Sequence, residues 1–472
     1  MPLLDETALL RVLHERGSAI SGAEEKRQTA RKGRSTRKDT TMADFDAIVV
    51  GSGCAGSVAA YELAKAGKAV LVVERGNYAG AKNMTGGRIY AHSLKKVFPD
   101  FEQNAPIERR ITHERISMMS PDANFTIDFT SDEMGKEGQD SYSVLRGPFD
   151  QWLAEQAENE GAEYINGIAI EELMKDESGK VIGVKAGEDE ITAEVVLLCD
   201  GVNSLLTDQA VGAKRPPASA LAVGIKQTIE VPASVITDRV LAGSDDEGAA
   251  WLFAGDATKG TFGGGFMYTN KESISLGIVA GIEATALHGK VPVYQMLEDL
   301  KSHPAVAPLI KGGKVVEHSG HMVPEGGINI MPEVVGDGVL LAGDSAMMCI
   351  NLGYMVRGMD YAVAAGQIAG QCAAKAIDAG DTSKAGLAPY KTALENSFVM
   401  KDFKQFKAVP DFMENFDRMF CGYPEMIRDM MNKMFIVDGT PVQPMKKTMM
   451  PIVKQVGIMN LLKDARGGMK AL

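Results

Sequence analysis

A glycine-rich turn between two strand-like segments constrains the fold of this chain more than any other feature. The apolar, β-branched run FDAIVV is followed by GSGCAG, then by a helical pattern up to Ala66, and then by a second apolar run from Ala69 to Val73. This order predicts a strand, a turn, a helix and a strand. The turn consists of Gly51, Ser52, Gly53, Cys54, Ala55 and Gly56.

The spacing of the three glycines is typical of a dinucleotide-binding turn. The first glycine permits the tight turn, the second lets the backbone approach a pyrophosphate, and the third lets helix and strand pack closely, while the helix N-terminus attracts the phosphates. Glu74, followed by Arg75, ends the second strand, where an acid accepts hydrogen bonds from the adenosine ribose. We therefore predict a dinucleotide site, and this unit alone leaves both FAD and NAD open.

Composition and charge exclude several classes of protein. The chain has 472 residues and a formal net charge of −12, without the clustered Lys and Arg that nucleic-acid binding needs. Its five cysteines are scattered, so no metal site or iron–sulfur cluster is expected within it. Charged residues interrupt every apolar run, so no membrane span is expected. We predict a cytoplasmic protein with no nucleic-acid partner.

Two later motifs distinguish between the dinucleotides. The string AEVVLLCDGVNS places Asp200 and Gly201 at the end of an apolar strand, and GDGVLLAGDSAMM places Gly343 and Asp344 between a strand and a helix. Three such motifs in this order resemble the flavoprotein class that shares the p-hydroxybenzoate hydroxylase fold. The resemblance implies that the dinucleotide is FAD.

The resemblance to this class also implies roles for two places in the last motif. Asp344 would bind a ribityl hydroxyl of FAD, and the helix that begins near Gly358 and Met359 would point its N-terminus at the flavin pyrimidine. A helix N-terminus at that position stabilises the negative charge of a reduced flavin.

Within this class the sequence resembles one branch closely. The strings NYAGAKNMTGGRIYAHS, YSVLRGPFDQWL, GGGFMYTN, PEGGI and CGYP together are similar to FixC proteins, which are relatives of electron transfer flavoprotein:quinone oxidoreductase. The similarity runs from about Met42 to the C-terminus. It implies FAD contacts by Gly87, Arg88, Arg146 and the Ile170 backbone, and it implies a quinone pocket near the loop that contains Gly264, Gly265 and Phe266.

The FixC resemblance implies an electron-transfer function with several partners. Electrons would arrive from a FixA and FixB pair that resembles electron transfer flavoprotein, pass through FAD and reach a membrane quinone. This subunit would form the quinone branch of an electron-bifurcating FixABCX complex. The four-cysteine cluster domain of the mitochondrial enzymes has no counterpart here, so a 4Fe-4S cluster would belong to a ferredoxin-like FixX subunit. No catalytic side chain is expected, because the isoalloxazine carries the redox chemistry.

One departure separates this chain from the flavin hydroxylases. Those enzymes have an arginine three residues after the serine of the Asp-Gly motif, whereas Thr207 follows Ser204 here, which argues against direct use of NADPH. Two alternatives stay open. One is a stand-alone reductase or hydroxylase of the geranylgeranyl reductase type, and the other is an assembly subunit whose FAD is structural.

Changes of pattern along the chain predict an α/β (α+β) fold with a Rossmann-type FAD-binding domain, an inserted β-sheet domain for substrate or quinone, and a helical C-terminal segment. We also expect a helix over Asp150–Glu160 that is capped by Asp150, and a strand over Ile168–Leu173. The predicted divisions are a disordered basic leader at 1–41, the FAD-binding domain at 42–215 and 321–390, the β-rich domain at 216–320, and a helical, methionine-rich segment at 391–472.

The C-terminal segment and four histidines give weaker indications of function. Residues 441–472 combine lysines with apolar residues, a pattern that suits either an anionic membrane face or a helix packed on the protein. We therefore expect peripheral association with a membrane surface. The candidate proton relays to a quinone are His92, His113, His318 and His321.

Overall fold

Two β-sheets organise the chain in the computed structural model, which describes residues 43–83, 87–289 and 291–472. The predicted leader at 1–41 lies outside the described residues. The strands are β1 Phe45–Val50, β2 Val70–Glu74, β3 Arg88–Tyr90, β4 Ile107–Met119, β5 Asn124–Thr130, β6 Ser141–Val144, β7 Glu163–Asn166, β8 Glu172–Lys175, β9 Val181–Ala186, β10 Asp189–Leu198, β11 Leu221–Glu230, β12 Glu247–Gly255, β13 Gly263–Thr269, β14 Ser273–Gly281, β15 Lys314–Pro324, β16 Val335–Gly336, β17 Val339–Leu341, β18 Ile350–Asn351 and β19 Val356–Arg357.

Helices cover the faces of the sheets and form the C-terminal region. They are α1 Cys54–Lys65, α2 His92–Val97, α3 Phe101–Asn104, α4 Arg146–Asn159, α5 Thr207–Val211, α6 Ala233–Val240, α7 Ile282–His288, α8 Val293–Ser302, α9 Ala307–Ile310, α10 Met359–Ala379, α11 Lys384–Leu387, α12 Pro389–Asn396, α13 Phe398–Gln405, α14 Val409–Glu414, α15 Asp417–Phe420, α16 Tyr423–Phe435, α17 Met445–Val456 and α18 Ile458–Ala471.

The first sheet has the Rossmann arrangement that the glycine turn predicts. Its order is β16-β17-β10-β1-β2-β7, and the neighbours from β17 to β7 are parallel. Apolar side chains on both faces of β1, β2 and β10 are buried, as expected of parallel strands covered by helices. The chain leaves β1 in one direction toward β2 and returns on the other side at β10. This change of direction creates the crevice in which doubly wound sheets bind ligands.

Two helices pack on this sheet through small residues. A Cβ atom on Gly366 of α10 would lie 2.2 Å from the Ala55 carbonyl oxygen of α1, and one on Gly370 would lie 2.6 Å from that of Ala59. Glycine at both positions therefore lets the two backbones touch. This contact fixes the start of α10 relative to the glycine turn.

The second sheet has the order β15-β11-β14-β13-β12-β4-β6-β3, with β5 beside β4. It extends beyond the predicted β-rich region at 216–320, because β3 to β6 come from residues 88–144 and β12 pairs with β4 in parallel. The pairing of segments so far apart in the chain has no local sequence signal. The second core lies between this sheet and α6, α8 and α9.

Two predicted elements need correction. The helix predicted at Asp150–Glu160 begins four residues earlier, at Arg146, so Asp150 is a buried residue inside it and not its cap. The strand predicted at Ile168–Leu173 is replaced by the short strand β8, Glu172–Lys175. Within the described residues, no helix has the length and apolar character that a membrane crossing requires.

Candidate functional site

The predicted cofactor motifs meet because they all follow carboxyl ends of neighbouring parallel strands. Gly51 follows β1, Cys199 follows β10, and Ala342 follows β17. Backbone hydrogen bonds continue the register past the strand ends, with the Gly51 N–H donating to Val73 (2.8 Å) and the Cys199 N–H donating to Val50 (2.8 Å). The parallel sheet therefore gathers the motifs at one edge.

The glycines of the first turn are required by close backbone contacts. Gly51 has a φ of +95°, and a Cβ there would lie 2.4 Å from the Cys199 carbonyl oxygen. A Cβ on Gly56 would lie 1.9 Å from the Gly51 carbonyl oxygen. No side chain caps α1 at Gly53, and no acid lies in its first turn, so its N–H groups face the turn as an anion site.

Glu74 is held at the end of β2 by the turn itself. Its Oε2 accepts hydrogen bonds from the backbone N–H (2.9 Å) and the hydroxyl (3.0 Å) of Ser52, and its Oε1 accepts from the Gly76 N–H (2.6 Å). The neighbouring Arg75 is exposed, and the Ile170 side chain is buried. The acid at the end of β2 is thereby fixed in orientation beside the phosphate turn.

A buried ion pair lies in front of the α1 N-terminus. Arg146 donates from Nε to Asp150 Oδ1 (2.9 Å) and from Nη2 to Oδ2 (2.8 Å), while Asn83 donates to the same carboxylate at 3.3 Å. Burial opposes the charge of Arg146, yet the Asp150 carboxylate raises its pKa above the ordinary value. The Cys54 thiol contacts Asp150 Oδ1 at 3.7 Å, and burial raises its pKa to about 12, so it stays protonated.

Two aspartates of the later motifs lie at the same edge. Burial raises the pKa of Asp200 to about 6, and its Oδ1 is buried without a hydrogen-bond partner among the described residues. Burial also raises the pKa of Asp344 to about 6, and Arg146 opposes that shift. Both carboxylates are therefore buried, and Asp200 keeps one oxygen without a hydrogen bond from the described residues.

The N-terminus of α10 carries a separate polar network. Arg357 donates from Nε to Asp360 (2.9 Å) and from Nη1 to Asp402 (2.6 Å), and its guanidinium lies 4.3 Å from the centre of the Tyr361 ring. His92 contacts the same oxygen of Asp360 at 3.2 Å. These contacts fix the first turn of α10, where Gly358 and Met359 line the cavity described next.

A cavity separates this edge of the Rossmann sheet from the second sheet. Fourteen of the predicted residues line it, namely Gly53, Cys54, Ala55, Gly87, Arg88, Arg146, Gly201, Gly264, Gly265, Phe266, Gly343, Asp344, Gly358 and Met359. The predicted residues that do not line the cavity are Gly51, Ser52, Gly56, Glu74, Arg75, Ile170 and Asp200.

The opposite wall of the cavity is a mostly apolar face of the second sheet. Gly264, Gly265 and Phe266 belong to β13 and not to a loop, which corrects the prediction for this segment. A Cβ on Gly264 would lie 2.8 Å from the Phe253 carbonyl oxygen, so the backbone is the surface there. The other residues of this wall include Ile116, Ala222, Leu252, Phe253 and Val279.

Arg88 and Tyr268 form the polar margin of that wall. The Arg88 guanidinium pairs with Glu114, donates to the Ser141 hydroxyl (2.9 Å) and lies 4.5 Å from the centre of the Tyr90 ring. A Cβ on Gly87 would lie 2.8 Å from the Tyr268 ring, so a glycine is needed there. Arg88 is consequently a fixed positive charge at the cavity.

Of the four candidate histidines, only His321 lines the cavity among the described residues. Burial, with Arg146 and Arg75, lowers its pKa to about 4, so it is neutral near pH 7. His92 belongs to the α10 network, His113 contacts Asp128 at 3.7 Å, and His318 is exposed. Sequence reasoning assigned no role to Glu325, which also lines the cavity.

The residues present fit FAD. The turn offers free N–H groups at the α1 N-terminus and glycines where a Cβ would clash, and Asp200 Oδ1 is a buried acceptor in need of a donor. A pyrophosphate and hydroxyl-bearing chain satisfies both requirements. The residues along this edge, from the end of β2 to the start of α10, provide successive sites for a long dinucleotide.

Comparisons with known proteins agree with this geometry. The FAD dependent oxidoreductase family matches residues 46–134, which contain the glycine turn and the first strands of the second sheet. The ETF-QO/FixC family C-terminal domain matches residues 409–472, which are the last five helices. The cofactor is FAD, and the chain is an FAD-dependent oxidoreductase.

Solved structures share the fold at low sequence identity. A geranylgeranyl bacteriochlorophyll reductase-like protein from Thermoplasma acidophilum has a TM-score of 0.65 and 18% identity, over 90% of this chain and 99% of that one. The flavin-dependent brominase Bmp2 has a TM-score of 0.58 and 17% identity, over 83% and 92%. These likenesses show the fold alone.

Curated relatives are far more similar. Protein FixC of Salmonella typhi is 51% identical over 91% of this chain and 99% of its own length. A probable electron transfer flavoprotein-quinone oxidoreductase, YdiS of Escherichia coli strain K12, is 49% identical over the same shares. The chain therefore belongs to the FixC family, whose relatives indicate an oxidoreductase of electron transport.

Proposed function

We propose that this protein accepts electrons from an electron-transfer-flavoprotein-like pair of the FixA and FixB type and passes them to a membrane quinone. The observation that carries the proposal is the two-sided cavity. One side holds the predicted FAD contacts, and the other is the apolar face formed by residues such as Ile116, Leu252 and Phe266. A lipophilic ring that enters there would lie beside the cofactor, as electron transfer requires.

The assignment of residues to FAD follows their places at the sheet edge. The glycine turn would hold the pyrophosphate, Glu74 the adenosine ribose and Asp344 the ribityl chain, with Ile170 on the adenine side. The start of α10 and the two arginines, Arg88 and Arg146, would lie at the flavin end. When bound, FAD supplies reversible two-electron chemistry that no protein side chain provides.

The protein's own groups would stabilise a reduced cofactor and keep the nearby thiols unreactive. The α10 N-terminus and Arg146 would stabilise negative charge in the cavity. Burial raises the pKa values of Cys54, Cys199 and Cys349 far enough to keep these thiols neutral, so they do not compete for electrons or metals. The role of the fold is to bind, orient and exclude water.

The remaining partners follow from the family and belong to this proposal. A FixX-type ferredoxin-like subunit with a 4Fe-4S cluster would complete an electron-bifurcating complex, in which the present chain would form the quinone branch. The match of residues 409–472 to the ETF-QO/FixC C-terminal domain supports an electron-transfer assembly.

An exposed apolar surface supports attachment to a membrane face. Phe125, Ile127 and Phe129 of β5 are exposed, and α16 packs beside β4 and β5. The end of α16, the segment after it and the first residue of α17 add further exposed side chains, and the term apolar patch is used for Phe125, Ile127, Phe129, Phe435, Ile436, Val437, Val442 and Met445 together. Lys446 and Lys447 follow it directly. Such a patch beside lysines suits an anionic lipid surface better than water.

A reductase of the geranylgeranyl type is the second candidate, because the apolar wall would also accept a prenyl chain. Direct reduction by NADPH distinguishes it. Thr207, which stands where hydroxylases have an arginine, is tied by its hydroxyl to Ser204 (2.7 Å) and is buried. It offers no positive charge to a 2′-phosphate.

Anaerobic absorbance spectroscopy of the purified holoprotein tests the proposal. We expect the flavin to bleach with reduced electron transfer flavoprotein, to recover with a soluble quinone analogue, and to stay oxidised with NADH or NADPH alone. Rapid bleaching by NADPH would establish the reductase instead. A flavin that stays oxidised with every donor would identify a structural cofactor.

A substitution in the cavity tests whether the quinone analogue reacts at the apolar wall. Val279→Trp adds bulk to that wall and narrows the cavity, whereas Val315→Trp alters an exposed position of the same sheet. We expect Val279→Trp to slow recovery with the quinone analogue more than it slows bleaching. Equal effects of the two substitutions would contradict a quinone position at this wall.

A further inference from the structure

Glu325 is an acidic side chain in the cavity that none of the roles above uses. Among the described residues, the carboxylates that line the cavity are those of Asp344 and Glu325. Glu325 directly follows β15, and its backbone N–H donates to the Ala220 carbonyl (2.8 Å). It continues the alternation of His321 and Val323, which line the same wall. The residue is therefore placed by the sheet and not by a loose loop.

The surroundings of Glu325 differ from those of Asp344. Arg146 stabilises the charged form of Asp344, but within the described part of the chain no cation forms an ion pair with Glu325. Its hydrogen-bonding neighbour is Asn351 of β18, whose Oδ1 accepts the Gly353 N–H at 2.9 Å. An uncompensated carboxylate in such a place is costly, so the neutral acid is favoured.

The other titratable groups nearby do not supply a counter-charge. His321 on β15 is neutral near pH 7, and the Cys349 thiol, next to the β18–β19 hairpin, interacts with Asp344, Glu325 and Asp360 and stays protonated. Burial raises the pKa of Glu325 to about 7, against a small opposing effect of Asn351. Glu325 is thus protonated in a large share of the molecules at neutral pH and can release its proton there.

We propose that Glu325 is the general acid of this cavity, which donates a proton to the quinone as it is reduced. The inference rests on the proposed function, in which a quinone occupies the apolar wall. Geometry carries it: an uncompensated carboxyl group, with no other role, lies on the cavity surface beside β18 and β19, which lead directly to Gly358 at the start of α10.

The step balances with the reduced cofactor as the electron source. A quinone takes up two electrons and two protons to become a quinol. Both electrons and one proton come from the reduced flavin. The second proton leaves the Glu325 carboxyl as its O–H bond breaks and a quinol O–H bond forms, and the resulting carboxylate recovers a proton from water.

The protonation state is testable without cofactor or acceptor. Infrared spectroscopy of the FAD-free protein should show a carboxylic acid C=O band that titrates with a midpoint near pH 7 and is absent from Glu325→Gln. Glu272→Gln, which alters an exposed glutamate just before β14, should keep the band. A band that Glu325→Gln leaves unchanged would overturn the proposal.

The kinetic test compares two oxidants of the photoreduced holoprotein. A quinone analogue needs protons, whereas the ferrocenium ion accepts an electron alone. We expect the ratio of the quinone rate to the ferrocenium rate to fall about 10²-fold in Glu325→Gln, the usual scale of a general acid. In the wild type this ratio should decrease as pH rises through about 7, because the acid form is needed. Glu325→Asp should retain part of this pH dependence.

The outcomes separate the two proposals. If the wild type reacts with ferrocenium but not with the quinone, the proposed function fails. If the wild type reacts with both and Glu325→Gln keeps the ratio, the role of Glu325 is wrong. A fall in the ratio for His321→Gln alone would assign the proton to the histidine and would also overturn the proposal.

Discussion

Arg146 donates hydrogen bonds to both carboxylate oxygens of Asp150, one helical turn away, at 2.9 and 2.8 Å. The pair lies against the thiol of Cys54 at the start of α1. The Asp150 side chain is fully buried, and that of Arg146 is 14% exposed, toward the cavity. Asp150 therefore positions the arginine, and the arginine presents its remaining donors to the cofactor site.

Asp150→Ala should destabilise the protein by about 3 to 5 kcal/mol, because it leaves the buried Arg146 without its partner. Urea unfolding of the FAD-free protein measures this loss. Glu133→Ala, which breaks an exposed pair with Lys136, is the matched control and should change stability little. Similar losses for the two variants would show that the buried pair stabilises the protein no more than the exposed pair does.

Gly56→Ala should abolish FAD binding, since the added Cβ would lie 1.9 Å from the Gly51 carbonyl oxygen and push the turn apart. FAD retained after purification, measured by absorbance, reports the effect. Gly187→Asn serves as the control, because this turn glycine has a φ of +59° and no atom within 4 Å of a Cβ. Retention of FAD by Gly56→Ala would disprove the role assigned to the turn.

Asp344→Asn should weaken FAD binding by about 10- to 100-fold, the loss expected of one hydrogen bond to a charged group. Fluorescence titration of the FAD-free protein with FAD gives the dissociation constant. Asp189→Asn, at an exposed position of β10, should leave it unchanged. An unaltered dissociation constant for Asp344→Asn would remove Asp344 from the site.

The stability of the FAD-free protein should depend on pH through Glu325. Its pKa is about 7 in the fold against an ordinary 4.5, so between these values the native state binds more protons than the unfolded state. The free energy of unfolding then falls as pH rises, and the loss is complete above about pH 7. Thermal unfolding should show the wild type losing stability relative to Glu325→Gln from about pH 5 to about pH 8. A constant difference would contradict the raised pKa.

The apolar patch predicts binding to anionic vesicles. Replacing Phe435 and Val437 by serine should weaken binding at least 10-fold, because each buried apolar side chain contributes about 1.5 kcal/mol or more. Co-sedimentation with phosphatidylglycerol vesicles measures it. The matched double variant, Leu287→Ser with Val316→Ser, changes exposed apolar residues outside the patch. Equal binding of the two double variants would exclude the patch as the lipid contact.

The first sheet and the cofactor edge could be predicted because their signals are local. A glycine turn such as GSGCAG fixes the strand before it and the helix after it within a few residues, so β1, α1 and β2 lie where expected. The roles expected of Asp344 and Gly358 come from the resemblance to the flavoprotein class, and both residues line the cavity. The partner of Arg146 was missed because an acid such as Asp150 is typical of a helix start, whereas α4 begins at Arg146 and its N-cap residue, Leu145, makes no side-chain cap.

The second sheet and the acidic residue in the cavity could not be predicted in this way. The parallel pairing of β4 with β12 joins distant segments and leaves no periodic signal in either. Glu325 lies in the string PEGGI, which contributes to the family resemblance but does not indicate a chemical role for the acid. Only the continuation of β15 shows that its side chain shares a wall with His321.

The interleaved order of the two sheets has a consequence for biosynthesis. β17 must pair with β10, and α10 must pack on α1, before all the segments that surround the glycine turn are in place. A ribosome must therefore translate past Ala379 before the cofactor edge is complete. Contacts of such long sequence separation form slowly, so the edge that binds FAD is completed only late in the synthesis of the chain.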